Sequence, residues 1–168
     1  VLAQSRAGSY FDTLSYLTEA CRDLFVTHPD LILDGELYTT DIPFETLAGL
    51  IKKKKVGEED RRQLQQYVKY HIYDVVNDQP FSTRMEQVNQ LNWNPYMVPV
   101  RTIRVENVPE FKHYFSAFVE EGFEGIMLRN IDGLYRQGFR SHDLQKYKEF
   151  HENEYAITGY EDGEGRDK

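Results

Sequence analysis

An α+β fold is expected from three features of the sequence. Short apolar runs rich in Val, Ile and Tyr interleave with segments of helical periodicity. Several of the links between those runs are too short for parallel crossovers. At 168 residues the chain forms one domain with a core of its own. The expected arrangement is a largely antiparallel, twisted sheet, or two, with helices outside.

In chain order, Gln4–Ser9 reads as a strand end and a turn. From Phe11 to Thr27 the apolar residues Leu14, Leu17, Ala20, Cys21, Leu24 and Phe25 fall on one helix face, with Ser9 or Asp12 as cap. Leu31–Tyr38 is strand-like and carries Asp34 and Glu36 on one face. Asp41 and Pro43 open a short helix bearing Phe44, Leu47, Leu50 and Ile51. Lys52–Lys55 and the charged run to Gln66 read as a helix end and an exposed connection. Val68–Val76 is a strand by composition, Ser82–Leu91 a helix, and Met97–Val105 a strand. Asn107 caps a helix with Phe111, Phe115, Phe118 and Val119 on one side, and Gly122 stops it. Tyr155–Tyr160 is expected to be a last strand before the turn Glu161–Gly165.

Two runs near the end organise the rest. Glu124-Gly125-Ile126-Met127-Leu128-Arg129-Asn130 and Leu144-Gln145-Lys146-Tyr147-Lys148-Glu149-Phe150 are apolar, yet each carries charge that a buried strand should avoid. Lys146 and Lys148 are two apart, so on a strand both ammonium groups leave one face. In a half-buried sheet that is costly unless an anion sits between them, which points to a phosphate site with Glu124 beside it as metal ligand or ribose contact. The competing reading is a solvated edge strand whose lysines block aggregation. Glu124 and Arg129 have opposite strand parity, so a regular strand cannot aim both into one pocket.

Elsewhere, Asp34-Gly35-Glu36 is either a β-bulge with solvent-facing acids or a carboxylate pair aimed at Mg²⁺ or a ribose. Tyr73 is either core or a ring for a purine to stack on. Lys52–Lys55 reads as a solvated face, with a nucleic-acid backbone as the other possibility.

The net charge of −8 argues against a generic nucleic-acid-coating protein. Residues 129 to 148 run the other way, with five basic side chains against Asp132 and Asp143. A single cysteine excludes an internal disulfide framework and suits an intracellular, reducing compartment. There is no run of about 18 apolar residues to span a membrane. No oligomer is expected.

These blocks, in this order, resemble the nucleotidyltransferase (adenylation) domain of ATP-dependent DNA ligases of the compact viral or phage-like kind. Ser5-Arg6-Ala7-Gly8 is similar to the element downstream of the nucleophile, and Leu33-Asp34-Gly35-Glu36-Leu37 to the third motif. Tyr73-Asp74 is similar to its companion strand, and Glu124-Gly125-Ile126-Met127-Leu128-Arg129 to the fourth motif. Tyr135–Ser141 is similar to the approach to the fifth motif, and Leu144–Lys148 to the fifth itself. The resemblance implies an α+β adenylation fold over residues 1–152 and the start of an OB-fold domain at 153–168. It implies ATP as AMP donor, Mg²⁺ on Glu36 and Glu124, and nicked duplex DNA as substrate in repair or replication. Arg6 and Arg129 would contact the nucleotide, Tyr73 would stack on adenine, and Lys146 and Lys148 would grip the α-phosphate. Lys146, Lys148 and Glu124 are the residues expected to serve the chemistry. The family's Lys-x-Asp-Gly nucleophile block does not occur in this sequence, and its lysine is expected upstream of Val1. An RNA ligase, an mRNA-capping nucleotidyltransferase and a non-catalytic nucleotide-binding module are the alternatives.

Overall fold

The computed structural model describes residues 3–5, 7–149 and 154–160. The chain divides into two compact units, Val1–Arg104 with Arg129–Leu144, and Val105–Leu128 with Gln145–Lys168.

In the first unit the N-terminal helical segment is broken in two. A 3₁₀ turn at Asp12–Leu14 leads into α1 (Ser15–Ala20), and α2 (Arg22–Thr27) follows after Cys21. Leu14, Leu17, Cys21 and Leu24 are buried, the face that the periodicity marks. Neither Ser9 nor Asp12 caps it; Phe11 holds that position without a side-chain hydrogen bond. β1 (Leu33–Tyr38) is followed by α3 (Phe44–Lys52), whose cap position is Pro43 rather than Asp41. The expected connection after Lys55 is in fact a second helix, α4 (Glu58–Tyr67). Asp60 reaches back to the Gly57 amide at 2.9 Å, satisfying one of the free N–H groups at the helix start. Leu64 is the one buried residue of α4 and packs with Leu47 and Val68. One buried residue, with Tyr67 packed partly buried beside it, is too faint a period to read, and here packing rather than propensity stabilises the helix.

β2 (Lys69–Val75) pairs antiparallel with β1 and parallel with β3 (Met97–Pro99), giving the order β1-β2-β3. The parallel pair departs from the antiparallel expectation, because α5 (Phe81–Gln90) lies in the β2–β3 connection and supplies the crossover. β3 is also shorter than Met97–Val105. Ile72, Val75, Val88, Leu91, Met97, Cys21 and Leu24 form the main core.

In the second unit, Asn107 caps α6 (Val108–Glu120) by accepting the Glu110 amide at 2.9 Å, and Gly122 ends it with φ +93°. β4 (Gly125–Arg129) and β5 (Leu144–Lys148) form a two-stranded ribbon. Residues 154–160 form no strand and Tyr155, Ile157 and Tyr160 are exposed, so the expected last strand is absent there. The turn at Glu161–Gly165 lies outside the described residues.

Candidate functional site

Two strand pairs carry the residues singled out by the sequence, β1–β2 in the first unit and β4–β5, which belongs to the second except for Arg129 and Leu144.

In the first unit, the β1–β2 register slips between Asp34 and Gly35. Asp34 faces Asp74 and Gly35 faces Ile72, so Tyr73 is the extra residue of a β-bulge on β2. The bulge resets the alternation, which is why Ile72 and Val75, three apart, both enter the same core cluster. Gly35 is required at this crossing: a Cβ there would lie 2.2 Å from the His71 carbonyl oxygen. Tyr73 lies beside Asp34 and Glu36, and burial and its hydrogen bond to Glu36 raise its hydroxyl pKa. Of the two readings of Asp34-Gly35-Glu36, the bulge is present, though its extra residue lies on β2, and it brings Asp34 and Glu36 beside the Tyr73 hydroxyl. Tyr135 donates to Asp34 Oδ2 at 2.9 Å, and burial together with that bond pushes its hydroxyl up to about 12.

Behind the bulge lies a group that the sequence reading did not identify. Asp74 is fully buried and accepts four donors: the Val75 amide at 2.9 Å, Arg84 Nε at 2.8 Å, Arg84 Nη2 at 3.0 Å and Arg129 Nη1. The remaining Arg84 nitrogen donates to the carbonyls of Gln79 and Gly133. Arg129 also lies over the Phe81 ring, 4.8 Å from its centroid. The legible signal was Arg84 itself, an arginine on the same helix face as Phe81 and Val88. Arg129, the last residue of β4, thus sits on a buried carboxylate, in keeping with its strand parity relative to Glu124. Arg6 lies outside the described residues.

In the second unit, all five residues of β5 are exposed. The half-buried sheet assumed for the lysine pair is therefore not what surrounds it, and solvent lowers the cost of two like charges. Tyr147 packs edge-on against Phe111 and Phe115 of α6, at 5.0 and 4.9 Å between ring centroids. Alternation then turns Lys146 and Lys148 to the other face. There Lys146 Nζ donates to Glu124 Oε2 at 2.9 Å. This hydrogen bond and the charges of Lys146 and Lys148 hold the Glu124 carboxyl below its ordinary range. The anion bonded to Lys146 is thus the Glu124 carboxylate, which was expected beside a phosphate as a metal or ribose ligand. Gly125 permits the close pairing, since a Cβ there would fall 2.2 Å from the Tyr147 carbonyl oxygen.

Among the described residues no three His, Cys, Asp or Glu side chains converge as a metal cluster. Mg²⁺ needs only one or two carboxylates besides water and phosphate oxygens; Glu36 and Glu124 are both exposed hard-oxygen donors, Glu36 bonded to Tyr73 and Glu124 to Lys146. Lys52–Lys55 are all exposed, and Lys53 pairs with Asp60 at 2.7 Å, as a solvated face would. No helix among the described residues is long and apolar enough to cross a membrane.

The family profile described as the ATP dependent DNA ligase domain matches residues 1–148. The chain belongs to the ATP-dependent DNA ligase domain family. It is 26% identical over 176 aligned residues to the DNA ligase of African swine fever virus (strain Badajoz 1971 Vero-adapted), covering 99% of this chain and 41% of the viral protein. It thus spans less than half the length of that relative. A solved structure from a study of Lig E DNA ligases and their DNA binding superposes with a TM-score of 0.67 at 23% identity, over 88% of this chain and 55% of the other. The bacteriophage T7 ATP-dependent DNA ligase, solved in complex with ATP, gives 0.62 at 17% identity, over 86% and 54%. These likenesses establish the α+β fold of a ligase domain.

Proposed function

We propose that the protein carrying this ligase domain seals nicks between a 3′-hydroxyl and a 5′-phosphate in duplex DNA, with ATP as AMP donor. The observation that carries the reading is the paired lysines of β5, turned to one face around Glu124. Two ammonium groups on one strand, Lys146 bonded to a carboxylate and Lys148 acting on it through its charge, suit the oxygens of a phosphate. Family membership and the viral relative support the assignment to DNA.

In this reading a lysine outside this sequence displaces pyrophosphate from the α-phosphorus of ATP, AMP passes to the 5′-phosphate of the nick, and the 3′-hydroxyl then displaces AMP. Residues 1–152 serve as the adenylation domain and 153–168 lead into an OB-fold domain. The chain's own residues align and neutralise. Lys146 and Lys148 hold the α-phosphate oxygens, Tyr73 offers its ring to the adenine, and Arg6 is assigned the ribose or phosphate, whereas Arg129, expected to contact the nucleotide as well, is engaged by Asp74. Glu36 and Glu124 are the carboxylates for Mg²⁺, which when bound neutralises charge on phosphate oxygens.

The test is sealing of a nicked, 5′-phosphorylated duplex by the intact protein. Ligation with ATP, lost in Lys146→Ala, is the expected result. Equal sealing by the variant overturns the role of Lys146, and preference for nicked RNA or GTP replaces DNA ligation with RNA ligation or capping.

A further inference from the structure

The buried Asp74, held by Arg84, directly follows the bulged Tyr73 and stands opposite Asp34 in the β1–β2 pair. We propose that Arg84 and Tyr135 are positioning residues for nucleotide-base recognition: they tie the bulged β1–β2 strands to α5 and to the 130–135 turn, and so fix Tyr73 and Asp34. The inference rests on the nucleotide reading of the surface around Tyr73.

Three observations carry it. First, Tyr73 is the bulged residue and Asp74 follows it directly. A bulge leaves its extra residue without a ladder partner, so its aim must be set by what holds the flanking residue. Asp74 is held by four donors on two oxygens, two of them from the planar fork of Arg84.

Second, Arg84 is also the stitch to the far side. Its Nη1 donates to Gly133 O at 3.0 Å. The Phe81 and Ser82 amides bond the Gly133 and Ile131 carbonyls at 3.0 and 2.9 Å, and Pro80 bridges to Leu134. One residue further on, Tyr135 lies 5.6 Å from the Arg84 guanidinium and donates to Asp34. The path Tyr73–Asp74–Arg84–Gly133–Tyr135–Asp34 therefore closes a loop around the surface from both strands.

Third, the arrangement is a poor choice for stability alone. A buried carboxylate with two guanidinium groups carries a net positive charge, and apolar side chains of similar volume often stabilise as well or better. Its distinguishing product is fixed geometry.

The test uses calorimetric titration of this chain with ATP and, separately, with inorganic tripolyphosphate, for wild type, Arg84→Met and Tyr135→Phe. Arg84→Met leaves Asp74 paired with Arg129, and Tyr135→Phe deletes one hydroxyl at a half-buried ring. The expected result is an ATP dissociation constant raised about tenfold in each variant, equivalent to one decade in the binding constant. Tripolyphosphate affinity stays as in wild type. General loosening of the fold would weaken both ligands together, and that outcome overturns the inference. So does unchanged ATP preference in either folded variant. Should Arg84→Met fail to fold, Tyr135→Phe decides alone. If wild type binds ATP no better than tripolyphosphate, base recognition at this surface is wrong from the start, a result distinct from wild-type preference that survives in the variants.

Discussion

Lys146 stands on a strand with no buried residue, so its side chain contributes little to the core. Lys146→Ala is expected to leave the folded chain intact by circular dichroism while lowering sealing by the intact enzyme on the order of 100-fold or more, as for loss of other preorganised charge contacts. Near-normal turnover would remove Lys146 from the phosphate site. The same pair sets a pH dependence. Glu124 titrates below its ordinary value because Lys146 bonds its charged form. A depressed carboxyl pKa contributes stability that is fully present above the unfolded value and lost as pH falls through the folded one. Carboxyl-carbon NMR of Glu124 should show a midpoint below that of an ordinary glutamate, rising in Lys146→Ala. Identical midpoints would mean that the lysine does not govern the acid. Asp74 is the residue the sequence hid most completely. Tyr73-Asp74 marks an aromatic-plus-acid strand in the resemblance, but only the fold shows the acid buried against Arg84 and Arg129.

The elements fall into those whose period is strong and those held by a single contact. β2 and α5 were legible because composition and spacing agree, and α6 because its cap agrees as well. α4 was not, because its surface is charged and Leu64 alone is buried. That makes Leu64 the sensitive point: Leu64→Ala should cost about 2–5 kcal/mol in urea unfolding, the range for deleting a fully buried leucine. A cost well under 1 kcal/mol would show that α4 is held by other contacts. β1 has its own sensitive point in Gly35. In Gly35→Ala the added methyl must displace the β2 backbone at His71, so a loss of about 1–3 kcal/mol is expected, as for overpacking. Wild-type stability would mean that the two strands can part without penalty.

At the scale of the molecule, the two units differ in how much they bury. The first contains both core clusters, whereas Phe115 is the one buried hydrophobic residue of the second among those described. Amide exchange should accordingly be slower in β2 than in α6, since protection follows burial; equal protection would contradict this. The sequence by itself determined the α+β class, the main helices and strands, and the ordered blocks that mark a ligase domain, because these reside in local period and in residue order. It also paired Lys146 with Lys148, since alternation along a strand is a local rule. Only the tertiary structure decided that Tyr73 is a bulged residue, that β3 runs parallel to β2, and that Asp74 joins Arg84 to Arg129. Each depends on strand register or on burial between segments up to 55 residues apart. No local pattern encodes which buried acid will meet which distant base; packing does.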